Sequence, residues 1–189
     1  MKLVSVVVLA YRSADTIIET LESIKKQTYP QIELIVTDDC SPDNTVEVVE
    51  HWMRDNKGCL SDMKLVTTEK NTGLPSNINR GLQAATGMYY KGIAGDDYLT
   101  EDAIEKYVDF CEKNPGVFPI ARVHLFTEYD NNPSFPEIQA YCNRCYEFAQ
   151  KTYKEQYQML LMQNRIVAPS ATFYTMDMTK SINGLRIIL

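Results

Sequence analysis

The sequence predicts an α/β fold in which a Rossmann-like, doubly wound and mostly parallel sheet is flanked by helices. Three observations favour this class. Apolar runs of strand length recur along the first half of the chain, segments with helical periodicity separate them, and polar turn residues follow several of the runs. The chain has 189 residues with a hydrophobic content of 44%, which is enough for one domain with a buried core.

The first three elements are predicted to be a strand, a helix and a second strand. The valine-rich run at 3–9 has the continuous apolar character of a strand that is buried on both faces. Ser13 or Asp15 is predicted to cap the helix that follows. The apolar stripe of this helix consists of Ile17, Ile18, Leu21 and Ile24. Pro30 marks the end of the helix, and the run at 32–37 is the second strand.

The same alternation continues to the end of the first half. Ser41 is predicted to cap the second helix, with Pro42 at its first position. The inner face of this helix is predicted to carry Val46, Val49 and Met53. The next elements are predicted in the order strand, helix and strand, at 63–68, 74–86 and 88–94.

A more variable and mainly helical second half follows residue 98. Its predicted elements are an amphipathic helix at 100–114, a strand or bent pair of strands at 117–129, a long helical stretch at about 137–163, a strand at 170–175 and a short helix at 178–184. No internal repeat interrupts the pattern. We therefore expect a single domain over 1–189, with halves at 1–98 and 99–189.

Composition and motifs exclude several classes of function. A net charge of −6 is the opposite of the basic surface that binds nucleic acids, so no nucleic-acid partner is expected. The first turn, LAYRSAD, lacks the G-x-G-x-x-G of dinucleotide-binding proteins, and the chain contains neither a P-loop nor a G-x-S-x-G motif. The apolar start, LVSVVVLA, is too short to span a bilayer. Five cysteines without a disulfide framework are expected to stay reduced in a cytoplasmic protein.

Two acidic pairs follow predicted strands and mark a candidate site. Asp38 and Asp39 come after the second strand, and Asp96 and Asp97 come after the strand at 88–94. The carboxyl ends of parallel strands are where open α/β sheets bind ligands. Because adjacent side chains of an extended strand point to opposite faces, only one member of each pair can face a common ligand. Asp38 would accept a hydrogen bond from a base or ribose, and Asp96 would bind a metal; alternatively, both pairs are ordinary turn and cap sequences.

Two long segments carry a resemblance to a known family. They read VSVVVLAYRSADTIIETLESIKKQTYPQIELIVTDDCSPDNT and EKNTGLPSNINRGLQAATGMYYKGIAGDDYLTEDAI. Together they resemble the opening of a family 2 glycosyltransferase, which has the GT-A fold of nucleotide-diphospho-sugar transferases. The resemblance covers about the first 105 residues and is specific as a combination, although no single piece of it is specific.

The resemblance implies a set of nucleotide-binding positions. Ala10 and Tyr11, just after the first strand, would flank the base. Asp38 matches the family's base-binding acid, and Asp39 is its more variable neighbour. The N-x-G…N-x-G segment of the third loop and helix is matched by Asn71, Gly73, Asn79 and Gly81.

The resemblance also implies a divalent metal, Mn²⁺ or Mg²⁺. Asp96 matches the last acid of the metal-binding D-x-D motif, and Asp97 follows it as an assisting ligand. Ala94 replaces the first acid of that motif, and Ile78 stands where a basic residue often precedes the second asparagine. The residues left open as sources of positive charge are Arg80, Lys70 and Lys91.

A third departure concerns the catalytic base. The family's Glu/Asp-containing motif is expected shortly after Gly184, and no acid follows that residue here. The base is therefore expected beyond Leu189, in a chain that is truncated and binds its donor better than it turns it over. If the chain proves active, the candidate bases are Asp102, Glu128 and Asp177.

The implied activity is inverting, metal-dependent transfer of a sugar from a nucleoside-diphosphate sugar to a hydroxyl acceptor, in polysaccharide or glycoconjugate synthesis. The acceptor would be a saccharide or a lipid-linked saccharide. Within a single GT-A domain, residues 1–98 would bind the nucleotide sugar and residues 99–189 would form a partial acceptor side. The expected location is cytoplasmic, at most close to the inner face of a membrane. The alternative is a catalytically inactive nucleotide-sugar-binding or scaffold module.

Overall fold

A five-stranded sheet forms the centre of the fold in a computed structural model that describes residues 1–116, 119–121, 135–162 and 172–177. The strands lie in the order β3-β2-β1-β4-β5. Their bounds are Val4–Ala10 for β1, Ile32–Asp38 for β2, Asp62–Val66 for β3, Tyr89–Ala94 for β4 and Tyr174–Thr175 for β5. The first four strands are parallel, and β5 pairs antiparallel with β4. The predicted mostly parallel α/β sheet is confirmed.

Helices flank both faces of this sheet. Their bounds are Ile17–Lys25 for α1, Thr45–Asp55 for α2, Leu74–Ala84 for α3 and Ala103–Lys113 for α4. Two further helices, Phe135–Ala149 (α5) and Tyr153–Met162 (α6), belong to a separate compact unit. Tyr90 packs with Val7 and with residues of α3, whereas the next residue, Lys91, lies beneath Tyr107 of α4. Since neighbouring strand residues point to opposite faces, α3 and α4 cover opposite sides of the sheet. No described helix is long and apolar enough to cross a membrane.

The strand order reverses between β1 and β4, and this reversal positions the site. The chain runs from β1 to β2 to β3 on one side and then returns to place β4 on the other side of β1. In the strand register, Ala10 lies opposite Asp38 and Leu9 lies opposite Ala94. Both acidic pairs therefore leave the sheet at the same edge, on either side of the end of β1. Such a switch point is where doubly wound sheets open a crevice for ligands.

The core lies along the two central strands. Val6, Val7 and Val8 of β1 are fully buried, as are Leu21 and Ile24 of α1. The helix α3 approaches the sheet most closely at one glycine, since a methyl group at Gly81 would lie 2.3 Å from a methyl carbon of Val7. Close packing of this kind holds the end of β1, and with it the site, in a fixed position.

The predicted caps of the first two helices are wrong, and the hydroxyls of Ser13 and Ser41 bond elsewhere. The N-cap of α1 is Thr16 rather than Ser13 or Asp15. The helix α2 begins at Thr45, with Asn44 as its N-cap, and the hydroxyl of Ser41 bonds instead to Asp38. The buried residues of α2 are Thr45, Val49 and Trp52, so that of the predicted inner face only Val49 is fully buried.

The chain divides into two compact units. One consists of Met1–Phe118 with Phe173–Leu189, and the other of Pro119–Thr172. In the second unit the predicted long helix at 137–163 is instead the pair α5 and α6, and Cys145 packs against Ile120 and Tyr141. The strand at 117–129 lies largely, and the helix at 178–184 entirely, outside the described residues. The single domain with halves that meet at residue 98 stays a prediction.

Candidate functional site

A cleft of about 380 Å³ opens at the carboxyl edge of the sheet. Residues 9–13 at the end of β1 form its floor, the loop before α3 forms one wall, and residues 94–96 form the other. A second hollow of about 400 Å³ lies along α1 and α2, where His51 and Trp52 contribute to its lining. The two are similar in size and both have polar lining residues, but the first lies at the switch point of the sheet. It is therefore the better candidate for a ligand site.

Asp39 is the acceptor on one wall of the cleft, and it is only 3% exposed. Its Oδ1 accepts hydrogen bonds from the Arg80 guanidinium at 2.5 Å and from the Thr72 hydroxyl at 2.8 Å. Its Oδ2 accepts from the backbone N–H of Gly73 at 2.7 Å, and the N–H of Thr72 lies 3.1 Å from both oxygens. Oδ2 thus has fewer donors than Oδ1, which leaves it room for a donor from a ligand.

These contacts also determine the charge of Asp39. Burial alone would raise the pKa of this carboxyl group, but the hydrogen bonds from Thr72, Arg80 and Gly73 outweigh it and lower the pKa below its ordinary value. Asp39 is therefore ionised at neutral pH, and an ionised carboxylate can only accept hydrogen bonds. A ligand group that meets it must be a donor.

Asp38 points away from the cleft, which reverses the predicted ranking of the first acidic pair. Its oxygens accept from the backbone N–H of Ser41 at 2.8 Å and from the Ser41 hydroxyl at 2.5 Å. The side chain is 1% exposed and is not part of the cleft lining. Because β2 is extended as far as Asp38, the two neighbours face opposite ways. The sequence predicts that Asp38 meets the base, but Asp39 is the member of the pair that lines the cleft, and Asp38 stabilises its own turn.

Asp96 faces the cleft from the end of β4. The neighbouring Asp97 is partly buried, its N–H donates to the carbonyl of Ala94 at 3.2 Å, and it does not line the cleft. Gly95 lies against the end of β1, where a methyl group would meet the Ser13 hydroxyl at 2.9 Å. A side chain at this position would therefore displace the carboxylate that follows it.

The donor set of this wall fits a hard cation that also binds phosphate. No group of three or more His, Cys, Asp or Glu side chains able to hold a metal occurs among the described residues. Mg²⁺ and similar ions, however, are commonly held by one or two carboxylates together with the phosphates of a substrate. Asp96, which faces the cleft, meets that requirement, while Ala94 provides no carboxylate.

Most of the other predicted site residues come together in the cleft. Ala10, Tyr11, Asn71 and Gly73 line it, and Asn79 does not. Gly73 has a φ of 83°, a left-handed conformation that favours glycine, and its N–H also bonds to the Asn71 side chain at 3.1 Å. These contacts shape the loop that presents backbone donors to Asp39.

Asn77 and Arg12 also line the cleft, and sequence reasoning missed both. The amide of Asn77 donates to the carbonyl of Thr37 at 3.1 Å and to that of Ala10 at 3.4 Å, which ties α3 to the ends of β1 and β2. The guanidinium of Arg12 lies 5.4 Å from the centre of the Tyr11 ring. A polar Asn on the inner face of an otherwise apolar helix was the available signal for the first, and nothing in the pattern indicated the second.

Of the three basic residues left open, Arg80 is the one that reaches the cleft carboxylate. Lys91 is fully buried beneath Tyr107, with its Nζ 5.3 Å from the ring centre. Burial lowers the pKa of Lys91 to about 7, and the nearby charge of Asp97 opposes that shift. Arg80, two positions after Ile78 on α3, thus places a positive charge beside the cleft carboxylate.

Comparison with known proteins agrees with this geometry. The model of the family described as "Glycosyl transferase family 2" matches residues 5–182. A putative teichuronic acid biosynthesis glycosyltransferase, TuaG of Bacillus subtilis, is 29% identical over 79% of this chain and 57% of its own length. The Escherichia coli UDP-Glc:alpha-D-GlcNAc-diphosphoundecaprenol beta-1,3-glucosyltransferase WfaP is 31% identical over 76% of this chain and 58% of its own. The chain thus spans little more than half the length of these curated relatives.

Two solved structures share the fold. Residues 1–349 of Staphylococcus aureus TarS, in complex with UDP-GlcNAc, superpose with a TM-score of 0.70 at 20% identity, over 96% of this chain and 47% of that one. The mannosyltransferase PcManGT of Pyrobaculum calidifontis, in complex with GDP-Man and Mn²⁺, gives a TM-score of 0.75 at 21% identity, over 100% of this chain and 48% of that one. At these identities the likeness establishes a common GT-A architecture.

Proposed function

Because the chain belongs to glycosyl transferase family 2, we propose that its cleft binds a nucleoside-diphosphate sugar and that the sugar is transferred to a hydroxyl acceptor. One observation carries the proposal. An ionised, cleft-lining carboxylate, Asp39, occupies one wall, and an exposed carboxylate, Asp96, occupies the other. The first suits a neutral hydrogen-bond donor such as a base, and the second suits a cation that accompanies a diphosphate.

We assign the base of the donor as uracil. Uracil presents an N–H between two carbonyls, and the less engaged Oδ2 of Asp39 is an acceptor for such a group. Cytosine presents a ring nitrogen that accepts at the same position, and two acceptors would repel each other. Guanine also carries a suitable N–H. Uracil and guanine must therefore be distinguished by the size of the ring and by its fit against Tyr11. The printed names of WfaP and TarS include UDP-Glc and UDP-GlcNAc, which supports a uridine donor here.

Tyr11 and Arg12 are proposed to flank this base. The Tyr11 ring is 43% exposed at the end of β1, so one face of it is open to stack on a planar ligand. The guanidinium of Arg12 lies over the Tyr11 ring, 5.4 Å from the ring centre, and this contact restrains the ring.

The metal is proposed to be Mn²⁺ or Mg²⁺, with Asp96 as the main protein ligand and Asp97 as its neighbour. When bound, such an ion would offset the charge that grows on the leaving diphosphate. Mn²⁺ is part of the PcManGT complex, which supports the choice of ion for a protein of this fold. On this chain, Asp96 would hold the ion, and Gly95 allows the loop that carries the carboxylate to lie close to β1.

The acceptor is proposed to be a saccharide or a lipid-linked saccharide, and transfer is proposed to invert the anomeric centre. Of the three candidate bases, Asp102 is unsuited to deprotonate an acceptor because it begins α4 as the N-cap and pairs with Lys106 at 2.6 Å. Glu128 lies outside the described residues. A module that binds nucleotide sugars without turnover is the second candidate function, and the absence of a carboxylate at Ala94 favours it.

Calorimetric titration tests the proposal, with UDP, GDP and CDP each added in the presence and absence of Mn²⁺. We expect UDP to bind more tightly than the other two and Mn²⁺ to strengthen that binding. Failure of all three nucleotides to bind would contradict the donor site. Release of UDP from UDP-sugars in the presence of oligosaccharide acceptors then separates an active transferase from a binding module.

A further inference from the structure

One face of α1 and of the turn after it carries a line of hydrogen-bonding side chains. Its members are Thr16, Thr20, Ser23 and Gln27, and we name them the polar stripe. Their spacing of four, three and four residues places them on one side of a helix. The apolar stripe of α1, formed by Ile17, Leu21 and Ile24, is buried in the core. The polar stripe is therefore a second, independent pattern on the same helix.

The polar stripe bonds along the backbone of residues 95–100, which we name the acidic loop. The Thr16 hydroxyl donates to the carbonyl of Gly95 at 2.8 Å, and the Thr20 hydroxyl donates to the carbonyl of Asp97 at 2.7 Å. Further along, the Ser23 hydroxyl accepts from the N–H of Leu99 at 3.2 Å. Gln27 donates to the carbonyl of Thr100 at 2.8 Å. Each turn of α1 thus holds the next part of the acidic loop.

Asp96 is the residue that these bonds enclose. Its carboxylate has no hydrogen bond or ion pair to any other described residue. Its direction is therefore set by its backbone: Thr16 holds the carbonyl of Gly95, in the peptide that precedes Asp96, and Thr20 holds the carbonyl of Asp97, one residue beyond it. A rotation of the Gly95–Asp96 peptide would swing the carboxylate away from the cleft, and a movement of the backbone at Asp97 would shift the residue that carries it.

Water cannot readily replace the hydrogen bond from the Thr20 hydroxyl to the carbonyl of Asp97. Thr20 is 1% exposed, so the carbonyl of Asp97 would lose its hydroxyl partner without gaining solvent. A buried acceptor left without a donor costs about 1–3 kcal/mol, which is enough to favour another conformation of a short loop. The bond from Thr20 is thus the one whose loss should disturb the acidic loop most.

We infer that the polar stripe is a positioning element for the metal-binding carboxylates, and that Thr20 is its principal member. The inference rests on the proposed function, because it assigns the stripe a role in cation and diphosphate binding by Asp96 and Asp97. Thr20 touches neither ligand. It acts through the backbone of the acidic loop, in the way that residues behind metal ligands orient them elsewhere.

The test compares UDP affinity with and without Mn²⁺ in Thr20→Val and in a matched control. Thr20→Val keeps the shape of the side chain and removes the hydroxyl. Groups that orient metal ligands typically contribute about 10–100-fold to metal affinity, so we expect the gain in UDP affinity from Mn²⁺ to fall by at least about tenfold. Metal-free UDP affinity, which depends on Asp39, should not change. Thr20→Ser should restore the gain.

The control is Thr86→Val. This substitution removes a hydroxyl that bonds to Glu33 at 2.9 Å at the amino end of the strands, far from the cleft. It should lower stability without changing the effect of Mn²⁺. Circular dichroism verifies the fold of each variant, and Ser23→Ala serves as a second, milder test of the stripe, with a smaller loss in the same direction.

The outcomes separate the two claims. A Mn²⁺ effect that is unchanged in both Thr20→Val and Ser23→Ala overturns the positioning role and leaves the proposed function standing. If Mn²⁺ has no effect on UDP affinity in the unmodified chain, the metal part of the proposed function fails, and this inference fails with it.

Discussion

At the scale of single residues, the two members of the first acidic pair have different tasks. Both carboxylates are buried and both are hydrogen-bonded, so burial does not distinguish them. Their partners do. Asp38 bonds within its own turn to Ser41, whereas Asp39 bonds across the cleft edge to Thr72, Gly73 and Arg80. The bonds of Asp39 fix its carboxylate in the wall of the cleft, whereas those of Asp38 stabilise a loop.

Asp39→Asn should weaken UDP binding by at least about tenfold, with or without Mn²⁺, because the amide presents fewer acceptor sites and leaves Arg80 without its counter-charge. Asp38→Asn should change UDP affinity by less than about threefold and act mainly on stability, since it disturbs the Ser41 turn. Calorimetry and urea denaturation measure the two quantities. A larger affinity loss in Asp38→Asn than in Asp39→Asn would restore the original ranking of the pair.

Cys40, which follows the pair, has a φ of 62°. A non-glycine residue in this left-handed region costs about 1 kcal/mol or more. Cys40→Gly removes that strain but increases the freedom of the unfolded chain, so we expect a net gain of up to about 1 kcal/mol. Cys59→Gly is the matched control, because Cys59 is not among the positive-φ residues and should lose about 0.5–1 kcal/mol. If both variants lose stability equally in chemical denaturation, the strain at Cys40 is absent.

At the scale of elements, β4 is unusual in burying a lysine. Lys91 is fully buried, and burial lowers its pKa to about 7 from the ordinary value of 10.5. Between these two values the unfolded chain binds a proton that the folded chain does not. The free energy of unfolding therefore rises with pH across this window.

Lys91→Met should lack that rise. The difference in the free energy of unfolding between the two chains should change steadily from pH 7 to pH 9, in the direction that favours the lysine at higher pH. Other titrating groups cancel in the difference because both chains contain them. Denaturation in urea at pH 7, 8 and 9 supplies the data, and parallel pH profiles would show that Lys91 stays charged in the folded protein.

The elements themselves were predictable from the sequence to a large extent. Continuous apolar runs identified β1, β2 and β4, and helical periodicity identified α1 to α4, because burial in a parallel sheet imposes those patterns. The helix caps were not predictable, since Ser13 and Ser41 have the same local chemistry whether they cap a helix or donate to a residue that precedes them in the chain. The long predicted helix at 137–163 failed for a similar reason, because periodicity alone does not reveal the break between α5 and α6.

The site was predictable in part. The strand ends predicted which edge of the sheet carries the site. Together with the resemblance, they also predicted three of its residues, Tyr11, Gly73 and Asp96. The choice between Asp38 and Asp39 did not follow, because it depends on where β2 stops being extended and on donors from the loop before α3. The choice of Arg80 among the three basic candidates and the polar stripe did not follow either, since their partners lie more than 40 residues away or on another element. Long-range hydrogen bonds leave no periodic signal.

At the scale of the whole molecule, the switch between β1 and β4 divides the proposed site into two walls. One wall comes from β2 and α3 and holds Asp39, and the other comes from β4 and holds Asp96. The first wall should act on the base and the second on the diphosphate and metal. Their contributions to binding should therefore be separable.

Asp96→Ala should abolish the additional thermal stabilisation that Mn²⁺ confers on the UDP-bound chain, while the stabilisation by UDP alone persists. Asp97→Ala should weaken the Mn²⁺ effect less, because Asp97 does not line the cleft. Melting temperatures with UDP, with and without Mn²⁺, distinguish the variants. Equal losses in the two variants would mean that both carboxylates bind the metal to the same extent.

The central claim is that the cleft at the end of β1 is a nucleotide-sugar site, and a crystal structure of this chain with UDP and Mn²⁺ tests it most directly. We expect the uracil N–H within hydrogen-bond distance of Asp39, the ring against Tyr11, and the metal bound by Asp96 and the diphosphate. A nucleotide found in the hollow along α2, or a uracil that bonds to Asp38 instead of Asp39, would contradict the account.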